Sequence, residues 1–156
     1  MNSATDKPGE SVRVTIGSDH RGHEQRKILT QVIEGCGHQV DDQGSFSEES
    51  TDYPDIASVV AERIVSGESE MGILVCGTGI GMSIAANKID GIRAALCGDV
   101  PSAELSRKHN NANVLCLAGN DFDPAEYERI VSAWLATEFE GGRHARRVEK
   151  IKKLES

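Results

Sequence analysis

Short apolar runs alternate with segments of helical periodicity along almost the whole chain. The apolar runs, which have the length and β-branched content of buried strands, cover residues 12–16, 39–40, 73–76, 92–97 and 114–117. The segments between them carry apolar residues at spacings of three and four, most clearly from Tyr127 to Leu135. Strands that alternate with helices predict an α/β protein in which one parallel sheet is covered on both faces.

Residues that begin and end helices set the limits of the predicted elements. Pro54 suits the first turn of a helix that Gly67 ends. Ser102 is predicted to cap a helix running toward residue 109, and Asp123 with Glu126 forms a capping-box pattern. We therefore expect a Rossmann-like three-layer αβα sandwich with five parallel strands, built by a single domain over residues 12–156, after a polar segment 1–11 that is predicted to be disordered.

The most informative stretch is 71–87, where an apolar run leads into glycines at every second position. Gly77, Gly79 and Gly81 follow Cys76, the last residue of the predicted strand, and helix-forming residues resume at Ser83. A strand, a glycine turn and a helix start present backbone N–H groups to an anion, since glycine lets a ligand approach the backbone closely. A thiol at this point is expected to favour its thiolate form and to act as a base, with the same N–H groups stabilising an oxyanion.

The glycine loop does not match a phosphate-binding P-loop, which requires a lysine after its last glycine, because none follows here. Two other interpretations of the loop are open on pattern alone. A dinucleotide-binding fingerprint fits Gly77 and Gly79, and Asp99 suits the acid that binds ribose, but Met82 occupies the place of the third glycine. The second alternative is a glycine turn that binds no ligand. Taken by itself, Cys76 is typical of a buried cysteine that packs in the core at the end of a strand.

Several polar residues follow the predicted strands, and we expect them to converge at the carboxyl edge of the sheet. Asp19 and His20 follow the first strand, Asp99 follows the fourth, and His109 lies near the fifth. His20 and His109 taken singly are equally compatible with polar loop residues, and residues 107–111 with a solvated helix end. No cluster of Cys, His and carboxylates has metal-ligand spacing, so no metal is expected.

The charge distribution points to a local anion site. The net charge of −8 argues against nucleic acid as a partner. Nevertheless six of the 17 Lys and Arg residues lie in the last 14 residues. A last helix predicted over 143–154 places Arg143 and Arg147 one turn apart, where they can bind one phosphate. This basic helix follows Gly141–Gly142, so we expect it to extend toward a partner subunit.

The cysteines and the overall hydropathy indicate the class of protein. The four cysteines form no C-x-x-C pair, and no secretory signal or membrane-spanning apolar run is present. These features predict a reduced, cytoplasmic protein that does not bind membranes.

Five motifs lie between about residue 12 and residue 154, and they are Ser18-Asp-His20, Thr51-Asp-Tyr-Pro54, Cys76-Gly-Thr-Gly-Ile-Gly-Met-Ser-Ile-Ala-Ala-Asn-Lys88, Ser106-Arg-Lys-His-Asn110 and Gly141-Gly-Arg-His-Ala-Arg-Arg147. Together they resemble the ribose-5-phosphate isomerase B family, which is related to the galactose-6-phosphate isomerase subunits. This resemblance implies interconversion of ribose 5-phosphate and ribulose 5-phosphate through a cis-enediolate, without a metal or cofactor.

The resemblance also implies a role for each site residue. Cys76 would be the base, Thr78 would assist proton transfer, and His109 would open the furanose ring. Met82 stands where a second branch of the family has a glutamate base, so the resemblance is to the cysteine branch. The substrate would be bound by sugar contacts at Asp19, Tyr53 and Asn110, by the backbone N–H groups of Gly77, Thr78, Gly79, Ile80 and Gly81, and by phosphate contacts at His20, Arg143 and Arg147.

The family forms homodimers that share the site between subunits, so the resemblance implies a homodimer or a tetramer. Three alternatives remain open at this point: an isomerase of a six-carbon aldose phosphate such as allose or galactose 6-phosphate, a nicotinamide-dependent oxidoreductase, and a non-catalytic sugar-phosphate sensor.

Overall fold

A computed structural model describes residues 10–45 and 51–156. Most of the segment predicted to be disordered, residues 1–9, therefore lies outside the described residues. The elements follow the predicted alternation in the order β1 (Arg13–Ser18), α1 (His23–Gly35), β2 (Gln39–Asp42), α2 (Tyr53–Val65), β3 (Met71–Cys76), α3 (Ile80–Asn87), β4 (Ala94–Leu96), α4 (Val100–Asn110), β5 (Val114–Ala118), α5 (Pro124–Ala136) and α6 (Arg143–Lys152).

The five strands of the described residues form one parallel sheet in the order β2-β1-β3-β5-β4. The central strand β3 is buried at all six positions because helices cover both of its faces. The prediction of an α/β sandwich with a five-stranded parallel sheet is thus confirmed.

Two apolar clusters form the core, one on each face of the sheet. The larger joins the sheet to α1, α4 and α5, with Trp134 and Leu29 fully buried. The smaller joins it to α2 and α3, with Val60 and Met82 fully buried. Helix α6 packs on α4 at the end of the chain.

The strand order creates a crevice between β1 and β3. After β1 the chain continues to β2 on one side of the sheet, whereas after β3 it continues to β4 and β5 on the other side. Such a reversal leaves an opening at the carboxyl ends of the two strands, where open α/β sheets bind ligands. Asp19 directly follows β1, and Cys76 is the last residue of β3.

Two predicted helix starts are wrong by a few residues. Helix α4 begins at Val100, and its N-cap is Asp99, whose carboxylate accepts a hydrogen bond from the Ser102 N–H at 2.8 Å. Helix α3 begins at Ile80, so that Gly81 lies inside its first turn. The Asp123 cap of α5 is confirmed, since its carboxylate accepts from the Ala125 N–H.

Candidate active site

Cys76 and Asp19 meet at the crevice between β1 and β3. The Asp19 N–H donates to the Val75 carbonyl oxygen at 3.3 Å, which ties the loop after β1 to the end of β3. Cys76 is 8% exposed and lines, together with Asp19, a cavity of about 140 Å³. The thiol is therefore sheltered and still faces a cavity.

The glycine loop presents unpaired backbone donors next to Cys76. Gly79, the N-cap of α3, has φ of 78°, a conformation that favours glycine. The Ile80 N–H donates to Thr78 Oγ1 at 3.2 Å. The remaining N–H groups of the loop form no hydrogen bond with any residue in 10–45 or 51–156, and they belong to Gly77, Thr78, Gly79 and Gly81. Together with the N-terminus of α3 they form an environment suited to an anion.

Tyr53 and His20 lie around this loop. The Tyr53 ring packs so closely on Gly81 that a Cβ there would lie 2.6 Å from the ring. His20 Nδ1 accepts a hydrogen bond from the Thr51 N–H at 3.4 Å. The carboxyl edge of the sheet thus brings together the predicted residues Asp19, His20, Tyr53 and Cys76 with the glycine loop.

The expectation that His109 converges with Cys76 is wrong within one chain. Helix α4 starts after the carboxyl end of β4 and returns to the amino end of β5, so His109 and Asn110 precede β5. In the β3–β5 pair, Val114 is level with Gly72 and Ala118 with Cys76. A rise of about 3.3 Å per residue separates these two levels by about 13 Å. His109 therefore lies toward the amino ends of the strands, at the end of the sheet opposite Cys76.

A second group of site residues forms where α6 packs on α4. The ring of His109 stacks on that of His144, with centroids 4.1 Å apart and an interplanar angle of 11°. Glu140 Oε1 lies 3.8 Å from His109 Nε2 and 3.5 Å from His144 Nε2. Arg143 and Arg147 are exposed on the same helix as His144. The predicted ring-opening residue and two of the three predicted phosphate-binding residues, Arg143 and Arg147, are thus grouped apart from Cys76.

The pair of histidines and Glu140 has the composition of a metal-binding set, which chain spacing did not reveal. Their ligand atoms all lie within 4.8 Å of one another. An imidazole nitrogen binds a metal in the plane of its ring, and two parallel stacked rings do not direct their lone pairs to one point. The geometry thus favours mutual positioning of His109 and His144, and the absence of a metal stays a prediction.

Burial shifts the ionisation of several groups near the site. Desolvation lowers the pKa of His144, electrostatic interactions with His109, Arg143 and Arg147 lower it further, and Glu140 opposes them. Burial also raises the pKa of the Cys97 and Cys116 thiols. His144 is therefore neutral, and these two cysteines are protonated, at neutral pH.

The residues that suggested a dinucleotide site have structural roles. Met82, in the place of the third glycine, is fully buried in the core between α2 and α3. Asp99, the candidate ribose-binding acid, caps α4 through the Ser102 N–H. Hydrogen bonding to the Ser102 side chain, and then to that N–H, lowers the Asp99 pKa.

Sequence reasoning missed a buried arginine that holds the end of α4. Arg107 is 1% exposed, although residues 107–111 were compatible with a solvated helix end. Its guanidinium donates to the Thr137 carbonyl at 3.1 Å and to the Ala112 carbonyl at 2.7 Å, and lies over the Trp134 ring. These contacts fix the last turn of α4, which carries His109.

Comparison with known proteins identifies the family. The sequence profile of the ribose/galactose isomerase family matches residues 14–151. The chain belongs to the ribose/galactose isomerase family. It is 46% identical over 144 residues to ribose-5-phosphate isomerase B of Escherichia coli K12, covering 92% of this chain and 96% of the relative.

Solved structures of the ribose/galactose isomerase family have the same fold. Clostridium thermocellum ribose-5-phosphate isomerase B superposes with a TM-score of 0.87 at 46% identity, covering 91% of this chain and 96% of that one. The type B ribose 5-phosphate isomerase of Trypanosoma brucei superposes with a TM-score of 0.90 at 44% identity, covering 94% and 100%. The chain is therefore an isomerase enzyme. In the part that the structure describes, no helix has the length and apolar character to cross a membrane.

Proposed function

We propose that this isomerase interconverts ribose 5-phosphate and ribulose 5-phosphate through a cis-enediolate, with Cys76 as the base. One observation carries the proposal: a sheltered thiol lies beside four backbone N–H groups, at the N-terminus of a helix, that are unpaired within the described part of the chain. Aldose–ketose isomerisation needs this combination, because a C–H proton must be removed while an enediolate oxygen gains negative charge.

The proton transfers balance within the substrate and the proposed residues. Cys76 takes the proton from C2 of the open-chain aldose and returns it to C1, which turns the aldose into the ketose. The hydroxyl proton must also move from O2 to O1. Thr78 is suited to assist, because its Oγ1 accepts the Ile80 N–H at 3.2 Å and its own O–H remains available as a donor. The unpaired N–H groups of the loop stabilise the enediolate in the meantime.

The surrounding side chains supply substrate contacts in this proposal. Asp19 shares the cavity of Cys76 and accepts sugar hydroxyl groups. Tyr53 covers the glycine loop at Gly81 and lines the sugar site. His20, beside Thr51 at the same edge of the sheet, contacts the phosphate.

The second group of residues opens the ring and holds the phosphate. His109 transfers the proton from the anomeric hydroxyl group to the ring oxygen as the C1–O4 bond breaks, and Asn110 binds a sugar hydroxyl. Arg143 and Arg147 lie four residues apart on α6 and bind the phosphate with paired N–H donors. The buried, neutral His144 stacked on His109 supports this assignment because it orients the imidazole.

A second copy of the chain joins the two groups in this proposal. His109 and Cys76 lie toward opposite edges of one sheet, so a single chain does not complete the site. Large apolar side chains lie exposed on α3, on the edge strand β4 and on α4, and their exposed fractions are 51% for Ile80, 57% for Ile84, 42% for Leu96 and 46% for Leu105. Ile80 is part of the glycine loop. The Leu96 side chain packs on Gly79 so closely that it would contact a Cβ added there. A partner covering them would bring its own α4 and α6 near Cys76.

Direct turnover tests the reaction. The purified protein with ribose 5-phosphate and EDTA is expected to form ribulose 5-phosphate at a rate that added metal ions do not raise. Turnover of allose or galactose 6-phosphate in place of ribose 5-phosphate would contradict the substrate assignment. Binding of sugar phosphates without any turnover would contradict catalysis and favour a sensor.

Mixing of inactive variants tests the shared site. Cys76→Ala and His109→Ala are each expected to be inactive as homodimers. After dissociation and reassembly of an equal mixture, each hybrid dimer would hold one intact site, and about one quarter of the native activity is expected. Sites confined to single chains would give no recovery, which would contradict the shared arrangement.

A further inference from the structure

Two amide side chains line the cavity of Cys76, and the proposed mechanism gives neither of them a role. The cavity of about 140 Å³ opens at the carboxyl ends of β1, β3 and β5. Gln25, in the first turn of α1, and Asn120, in the turn after β5, contribute to its wall with Asp19 and Cys76. Both amides therefore face the space in which the reacting end of a sugar would lie.

Asn120 is fixed to the glycine loop through its backbone. The Gly119 N–H donates to the Cys76 carbonyl at 2.8 Å, and the Asn120 N–H donates to the Gly77 carbonyl at 2.9 Å. A Cβ on Gly77 would lie 3.2 Å from Asn120 Nδ2, so the amide lies directly over the loop. This amide forms no hydrogen bond within residues 10–45 and 51–156, and its donors and acceptor remain available.

Gln25 lies on the other side of the same turn, and within residues 10–45 and 51–156 only the nitrogen of its amide forms a hydrogen bond. Its Nε2 donates to the Gly119 carbonyl at 3.4 Å. Its Oε1 is buried and has no partner among the residues that the structure describes. A buried acceptor without a donor is unfavourable, and a small rotation of the amide toward the cavity would let the hydroxyl group of a bound ligand satisfy it.

We propose that Gln25 and Asn120 form an amide pair that binds hydroxyl groups of the sugar next to Cys76 and thereby fixes the reacting carbons over the thiol. Neutral amides both donate and accept, which matches hydroxyl groups, whereas phosphate is bound best by charged donors. Arg21 also lines the cavity and is the side chain there that would attract a phosphate. This inference rests on the proposed function, because it assigns substrate contacts around its base.

Variants that remove each amide test the pair. Gln25→Met and Asn120→Ala are expected to raise the Michaelis constant for ribose 5-phosphate about five- to tenfold each, the effect of losing one hydrogen bond to a hydroxyl group. Inhibition by inorganic phosphate, which carries no sugar hydroxyl, is expected to stay within twofold of native. Gln31→Met, an exposed position on the same helix, is the matched control and is expected to resemble the native enzyme.

Two outcomes would overturn the pair. Michaelis constants within twofold of native for both variants would exclude a substrate contact. Weakening of phosphate inhibition by the same factor as sugar binding would assign the amides to the phosphate. If Gln25→Met does not fold, the surface variants Asn120→Ala and Asn120→Asp decide the matter by the same two constants.

Calorimetric titration with ribose 5-phosphate separates this inference from the proposed reaction. A native protein that binds the sugar phosphate without turnover, and whose affinity falls fivefold or more in Asn120→Ala, would refute the reaction and support the amide pair. Equal affinities in the native protein and the variants, or no binding to the native protein, would refute the pair.

Discussion

His109 and His144 stack face to face, with ring centroids 4.1 Å apart and planes inclined by 11°. His109 belongs to the last turn of α4 and His144 to the first turn of α6. The stack therefore joins the proposed ring-opening group to the helix that carries the proposed phosphate contacts, Arg143 and Arg147.

Loss of this stack is expected to impair catalysis. His144→Ala removes the surface on which the His109 imidazole rests, so kcat is expected to fall about tenfold, whereas His144→Phe keeps a ring and is expected to restore part of the rate. Steady-state kinetics on ribose 5-phosphate measure both. His23→Ala, at an exposed histidine of α1, is the control. Equal rates for His144→Ala and native enzyme would contradict a positioning role.

The Gly79 backbone is expected to tolerate no side chain. Its φ of 78° is strained for other residues, and a Cβ would lie 3.0 Å from the Leu117 carbonyl carbon. Gly79→Ala is therefore expected to lower the free energy of unfolding by about 1–3 kcal/mol and to impair turnover. Gly98→Ala is the control, because no atom of the described residues lies within 4 Å of its Cβ position. Urea unfolding that gave both variants the same stability would contradict the account.

Stability is expected to fall in acid because partial burial opposes the protonation of His38. His38 Nδ1 accepts the Val12 N–H at 3.1 Å, and burial lowers its pKa. A histidine whose folded pKa is lowered stabilises the fold fully above the unfolded value of about 6.5, and this contribution is lost as the pH falls below it. Denaturant midpoints should thus decrease from pH 7.5 to 5.5, and His38→Asn should decrease less. If the denaturant midpoint of His38→Asn fell with pH as steeply as those of the native protein and of the control His23→Asn, the contribution of His38 would be disproved.

Alkylation is expected to distinguish the four free cysteines. Cys36 is exposed and Cys76 lines a cavity, whereas burial raises the pKa of Cys97 and Cys116 and keeps these thiols protonated. Iodoacetamide at pH 8 should therefore modify Cys36 and Cys76, as mass spectrometry would show. Ribose 5-phosphate should protect Cys76 alone. Full activity after complete alkylation of Cys76 would contradict its role as base.

The sequence predicted the fold because its signals are local. Alternating strands and helices indicate a parallel sheet. The glycines after Cys76 indicate an anion-binding turn independently of the tertiary structure around them. The first residue of a helix is harder to predict from local signals. At α4, Asp99 and Ser102 are both good caps, and the choice depends on which backbone N–H each side chain reaches.

The arrangement of the site was beyond sequence reasoning, because it depends on strand order and packing. His109 was expected near Cys76, but the return of α4 to the amino end of β5 separates them. The stack of His109 on His144 joins residues 35 positions apart in the chain. The proximity of Gln25 to Asn120 depends in the same way on β1 and β5 lying on either side of β3.

The most direct test of the account is deuterium exchange by the Cys76→Ala variant. Native enzyme and variant are incubated with ribose 5-phosphate in deuterated water with EDTA, and both ribulose 5-phosphate and deuterium at C1 are measured. The account predicts turnover with deuterium incorporation by native enzyme, and a loss of both of about 10²–10⁴-fold in the variant, the usual contribution of a general base. A variant that still forms deuterated ribulose 5-phosphate at a rate close to native would show that Cys76 is not the base.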